Sequence, residues 1–151
     1  MSAEQLHFKI ELAGTYWAKR PVYTVLFNNT VIETKEIAVA SGESFFVEFD
    51  QEVVEGTTYQ LQVRLENKDN SDVVKDVNDP VNFNIVKDLL LHVRSIEIDE
   101  IDLGELVWKK GTFTGDDPAR PVLIQCVDLG WNGTWSLEFE SPFYIWLLEN
   151  I

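Results

Sequence analysis

Apolar and polar residues alternate strictly over residues 6–12, the period-two pattern of a strand with one buried face. The same texture returns along the chain. Residues 22–27 are largely apolar and run into Asn28 and Asn29, residue types that tolerate the left-handed backbone of a tight turn. Val31 and Ile32 then resume the apolar pattern, which predicts a hairpin. Further strands are predicted at 35–40 and 44–49, and residues 58–66 form the cleanest alternation of all. Residues 67–82, rich in Asn, Asp and Lys and carrying Pro80, predict a long polar loop at one end of the protein. Residues 88–98 begin as a continuous apolar run and finish alternating, as a central strand would. Seven or so short strands separated by turn signals, with helical periodicity almost absent, predict an all-β fold: a two-sheet antiparallel, jelly-roll-like sandwich.

From Gly104 the texture changes. Val107 and Trp108 precede a turn-rich stretch over 111–121, an apolar run follows at 122–127, and Asn132 and Gly133 stand between Trp131 and Trp135. An Asn-Gly dipeptide supplies the positive φ angles of a type I′ turn, so a hairpin pairing the two tryptophans is predicted. Residues 1–103 are therefore read as the sandwich and 104–151 as an appended hairpin region that ends in an apolar segment. That segment, 141–151, is aromatic where chain ends are usually polar and frayed. It is expected either to complete the protein's own core as a last strand or to dock into a partner, with Phe143, Tyr144, Trp146, Leu147 and Leu148 as the interface residues.

Composition narrows the partners. The chain has 151 residues, 26 acidic against 12 basic, and a formal net charge of −14, a balance that repels phosphate backbones and anionic membrane surfaces and so argues against nucleic acid. No apolar run approaches the length of a membrane span, and the start of the chain lacks the basic and apolar regions of a signal peptide, so a soluble protein is expected. The matches to the glycosylation pattern at Asn28 and Asn132 carry no implication without such a signal. The single cysteine, Cys126, lies in an apolar run and reads as a small hydrophobe on a strand. Nucleophile-elbow, phosphate-loop, zinc-protease and dithiol motifs are all absent, and the two histidines, His7 and His92, read as ordinary strand residues. An enzyme is not expected, and composition implies no cofactor. Tyr16 and Trp17, with Tyr23, offer flat faces on which a sugar ring could stack, weighed against an anchoring role in the core.

The order of strands from residue 6 to 103, with the Asn-Asn hairpin, the strand running into Asn67, and the later strand of Leu91, Val93, Ile96 and Ile98, resembles the calcium-dependent xylan-binding modules. That resemblance implies a non-catalytic jelly-roll sandwich in which an Asn-Asp pair after one strand and an Asp in a later strand hold a calcium ion against sugar hydroxyls. Asn67 matches the family's Asn, but Lys68 stands where the Asp should be and Arg94 where the second Asp should be. Both departures place a cation at a ligand position, which opposes a hard divalent ion. Asn67, Asp69, Asp72, Asp76 and Asp88 remain as residues that could rebuild a calcium site nearby.

The segments 98–104, 128–135 and 141–150 resemble small proteins of tailed phages, particularly those of marine cyanobacteria. This second resemblance implies a virion component, made in the host cytoplasm and joined to other virion proteins or to copies of itself. The expectations are thus a non-enzymatic capsid decoration or tail accessory protein, with a polysaccharide-binding module, calcium-dependent or not, as the alternative.

Overall fold

In the computed structural model, which describes residues 2–78 and 84–151, the chain forms a β-sandwich. The strands are β1 (Ala3–Thr15), β2 (Val22–Phe27), β3 (Thr30–Glu36), β4 (Ser44–Val54), β5 (Thr58–Leu65), β6 (Val74–Lys75), β7 (Ile85–Lys87), β8 (Leu90–Ile98), β9 (Ile101–Asp102), β10 (Thr112–Gly115), β11 (Leu123–Ile124), β12 (Asp128–Leu129) and β13 (Gly133–Glu140). Two short helices, α1 (Leu106–Lys110) and α2 (Phe143–Asn150), complete the structure. One sheet has the order β12-β8-β1-β4 with β9 on β8, and the other has the order β11-β10-β13-β5-β2-β3. All pairings are antiparallel. A separate two-stranded ribbon, β6-β7, stands off the sandwich.

The alternation at the start of the chain does what its period requires. Leu6, Phe8, Ile10 and Leu12 of β1 are fully buried, facing Leu61, Val63 and Leu65 of β5 and Val25 of β2, which are equally inaccessible. Phe8 sits at the centre, stacked on Phe49 at 4.9 Å and tilted against Phe27 and Phe139 at 5.4 and 6.0 Å. Asn28 and Asn29 take φ of 50° and 68°, the turn between β2 and β3 that their side chains forecast. The strand read at 35–40 is instead the end of β3, which stops at Glu36, and the strand read at 44–49 continues to Val54. The 67–82 loop contains a 3-10 turn at Asn70–Asp72 and strand β6, and Pro80 lies outside the described residues.

The end of the chain departs most from expectation. Residues 104–151 are woven into both sheets. β13 lies in the middle of the second sheet with β5 and β10 on either side, while β12 borders β8 in the first. The Asn132-Gly133 hairpin does not form. Trp131 precedes a crossing between sheets, and Trp135 pairs with Val63 and Phe113. Gly133 serves close approach instead, since a Cβ there would lie 2.5 Å from the Thr114 carbonyl oxygen and 2.7 Å from the Gly115 Cα.

The expected last strand is the helix α2. Phe143 and Trp146, one turn apart, turn inward onto Phe139, each ring centroid 6.2 Å away, and Leu147 packs partly beside them. A short run that is apolar on every side carries no periodicity to separate helix from strand, which is why pattern reading misassigns it. No helix among the described residues is long and apolar enough to cross a membrane.

Candidate functional site

The ends of β1 and β5 and the starts of β2, β8 and β13 lie at one end of the sandwich, because β13 begins opposite Leu65 and β1 ends opposite Leu90. Tyr16 and Trp17 leave β1 there. Trp17 is 44% exposed, yet its indole N–H donates to the Asp72 carbonyl at 2.9 Å, so the ring is both presented and held. The Lys87 ammonium rests 4.7 Å from the Trp17 ring, and the Arg20 guanidinium 5.4 Å from the Tyr16 ring. The Tyr16 hydroxyl donates to the Val39 carbonyl at 2.7 Å. Between these aromatics and the β6-β7 ribbon opens a cleft of about 380 Å³, lined by Thr15, Tyr16, Trp17, Ile85, Val86, Lys87, Asp88 and Leu90.

Tyr23, expected to join the two aromatics, does not. It is 4% exposed, tilted against Phe45 at 5.2 Å, and its hydroxyl donates to Glu33 at 2.8 Å. Burial first, and the Glu33 carboxylate second, hold its phenol well above the usual range. It is a core residue with no face to offer a sugar.

The candidate calcium ligands do converge at this end, but around ammonium ions. Lys19 Nζ lies 2.8 Å from Asp69 Oδ2 and 2.9 Å from Asp72 Oδ2. Lys68 Nζ lies 2.6 Å from Asp88 Oδ1 and donates to the Gly130 carbonyl at 2.6 Å. Asp72 is buried, and desolvation pushes its carboxyl up, but the Asp69 backbone N–H and the Lys19 charge outweigh burial and hold it below the usual value. The bonds from Asp69, then Asp72, raise the Lys19 ammonium correspondingly. Asn67 is used at both ends of its amide: Oδ1 accepts from the Val22 N–H at 2.8 Å and Nδ2 donates to the Arg20 carbonyl at 3.0 Å. Asp76 accepts from the Asn78 N–H at 2.9 Å.

Calcium takes six to eight oxygen ligands. Here the carboxylates are divided between two lysines, and among the described residues no group of three or more His, Cys, Asp or Glu could hold a metal ion. The described residues do not fit a calcium ion. Sequence reading took Lys68 for a lost ligand and missed Lys19 and Lys87 altogether. Nothing in the sequence sets Lys19 and Lys87 apart from the rest of its eight lysines.

Two solved structures share the fold. One is vCBM60 in complex with galactobiose, superposing with a TM-score of 0.51 at 12% identity over 87% of this chain and 96% of that one. The other is the selenomethionine form of vCBM60, from a description of circular permutation as a link between two families of calcium-dependent carbohydrate-binding modules. It gives the same score and identity over 87% of this chain and 89% of that one. At that identity the likeness is one of fold. No protein-family model and no curated protein sequence matches the chain.

The remaining candidates are spread elsewhere. His92 links three strands: its Nε2 is 2.9 Å from the Thr15 hydroxyl and its Nδ1 2.7 Å from Asp128, the residue directly opposite it on β12. Arg94 is exposed on β8. His7 bonds to Asp50 at 2.7 Å and Glu48 at 3.1 Å, and those bonds, Asp50 first, raise its imidazole. The Cys126 thiol donates to the Asp128 carbonyl at 3.1 Å. Of the expected interface residues, Phe143 and Trp146 face the core and Leu147 is partly covered. Tyr144 and Leu148 are exposed, with Ile145 and Ile151 beside them.

Proposed function

We propose that this protein is a non-catalytic carbohydrate-binding module that takes a polysaccharide segment in the cleft beside Tyr16 and Trp17. The observation that carries the reading is Trp17: a large, half-exposed ring fixed by its own N–H to a backbone carbonyl, flanking an open cleft at a loop end of a sandwich. Exposed rings that are already ordered lose little conformational freedom on stacking, and a sugar's apolar face is a suitable partner. The fold shared with vCBM60 supports the class. Because Lys19 and Lys68 already occupy the carboxylates, binding in this reading needs no calcium.

The test is isothermal titration or affinity electrophoresis of the whole chain against a panel of soluble polysaccharides, with and without a chelator. Saturable binding that Trp17→Ala abolishes while the melting temperature holds is the expected result. Silence across the panel sinks the reading.

A second role rests on α2. Tyr144, Ile145, Leu148 and Ile151 form an exposed apolar stripe where β13 ends, opposite the end at which it begins beside the cleft. β13 spans eight residues, so stripe and cleft are separated by roughly 27 Å. This arrangement suits attachment to a larger assembly through one end while the other meets a ligand. The expectation of a phage virion component gains no support from the structural likeness, and only the more general attachment role is retained.

A further inference from the structure

We infer that the cleft prefers an anionic sugar, one bearing a carboxylate or sulfate, and that Lys87 is the residue that reads the charge; this rests on the carbohydrate-binding reading above. In a chain of net charge −14, basic residues nevertheless gather at this end of the sandwich: Lys87 over Trp17, Arg20 over Tyr16, and Lys19 and Lys68 on the neighbouring carboxylates. The carboxylates among them, Asp69, Asp72 and Asp88, are each within 3 Å of Lys19 or Lys68, and counting Arg20 and Lys87 the four cations exceed the three carboxylates by one charge. Lys87 is different. It is exposed, it lines the cleft, and among the described residues no carboxylate lies within ion-pair distance of it. Its ammonium rests on the face of Trp17.

That placement makes the ligand's charge matter. A neutral sugar stacking on Trp17 must compete with the ammonium for the indole face and offers nothing charged in return. An anionic sugar draws the ammonium off the ring into a charge-assisted hydrogen bond, roughly twice as strong as a neutral one, and frees the face at the same time. The acidic remainder of the protein interferes little, because at physiological ionic strength its field is screened beyond about 8 Å. The Arg20 guanidinium, given to the Ile37 and Val39 carbonyls at 3.1 Å, is held in place beside Tyr16 and adds positive potential without moving.

The experiment compares matched pairs on the whole chain in the presence of a chelator: galactan against polygalacturonate, and dextran against dextran sulfate. The expected result is a preference of about tenfold for an anionic member. Lys87→Gln should remove it by lowering the affinity for the anionic member, and Lys87→Arg should keep it. Lys109→Gln, on α1 and away from the cleft, should leave the preference intact. A preference for only one pair tells carboxylate from sulfate. Equal affinity within both pairs overturns the inference but leaves the carbohydrate-binding reading standing, and so does a preference that survives Lys87→Gln or is lost equally with Lys109→Gln. Binding to none of the four polymers removes both.

Discussion

Lys68 follows β5 in one sheet and binds Asp88 and Gly130, which flank β8 and β12 in the other, so a single ammonium pins the two sheets together beside the cleft. Its backbone joins in: the Lys68 N–H donates to Asn132 Oδ1 at 2.7 Å, and Asn132 Nδ2 returns a bond to the Lys68 carbonyl at 3.0 Å. Lys68→Met keeps the length of the stem and its apolar contacts while deleting the charge. What is left is the Asp88 carboxylate with the Leu89 N–H as its remaining close donor, and a Gly130 carbonyl that has lost its bond to Lys68. Removing one partner of a fully buried pair costs about 3–5 kcal/mol, whereas fully exposed pairs are worth about 0–1 kcal/mol. With side chains 11% and 17% exposed, this pair stands nearer the buried limit. A loss of about 2–3 kcal/mol is therefore expected, and at roughly 2–4 °C per kcal/mol for a chain of this size the melting temperature should fall by roughly 5–10 °C.

Two controls make the result interpretable. Adding Asp88→Asn to Lys68→Met removes the stranded charge and should restore part of the loss, since much of the cost lies in the unpaired carboxylate. Calcium should do nothing. A resident ion at a hundredfold excess over its dissociation constant would stabilise the fold by about 2.7 kcal/mol, several degrees on the same scale. Melting curves by circular dichroism, with added calcium and with chelator, decide both points. If calcium lifts the wild-type transition by several degrees, or if Lys68→Met melts with the wild type, the ammonium does not hold this end of the sandwich.

Four further outcomes follow from the same geometry. Deleting residues 143–151 removes the buried rings of Phe143 and Trp146 and uncovers Phe139. Each ring is worth about 1.5–3 kcal/mol against a total stability of about 5–15 kcal/mol, so the truncated chain should lose its cooperative melt. Leu148→Glu, on the 72% exposed position, should melt within about 0.5 kcal/mol of the wild type and abolish any self-association seen by light scattering. Gly133→Ala drives a methyl against backbone of β10, which cannot swing aside, and should cost about 3 kcal/mol by chemical denaturation. Asp72 has a carboxyl depressed in the fold from an ordinary value of 3.8, so its contribution is present above that value and is lost as pH falls through the lower folded one. Melting temperature should fall steeply below about pH 4, and Asp72→Asn should flatten that slope.

The sandwich was legible where the deciding forces are local. Strand β1 announces itself because every second residue must face the core. The β2-β3 turn does so because Asn28 and Asn29 carry their own tolerance of positive φ. Asn132-Gly133 sends the same local signal and misleads. What Gly133 answers to is the backbone of β10, about twenty residues away, and no window around the dipeptide contains that neighbour. α2 fails for a related reason: its apolar residues cover all sides, and only Phe139 and the free surface decide which of them turn inward.

At the candidate site, the partners of each charged residue lie far away in the sequence. Trp17 lines the cleft and Asp72, in the segment after Asn67, holds its indole N–H, yet a lysine at a calcium-ligand position reads on its own as a loss of function. The structure gives it the opposite sense. Lys68 reaches Asp88, twenty residues on, and Lys19 reaches Asp69 and Asp72 from about fifty residues away. Both put a tethered monovalent charge among carboxylates that would otherwise repel one another or recruit a free ion. A tethered ammonium has no dissociation equilibrium, so the loops it holds stay ordered at any calcium concentration. In the binding reading proposed above, Lys87 is thereby left for the ligand rather than for the fold.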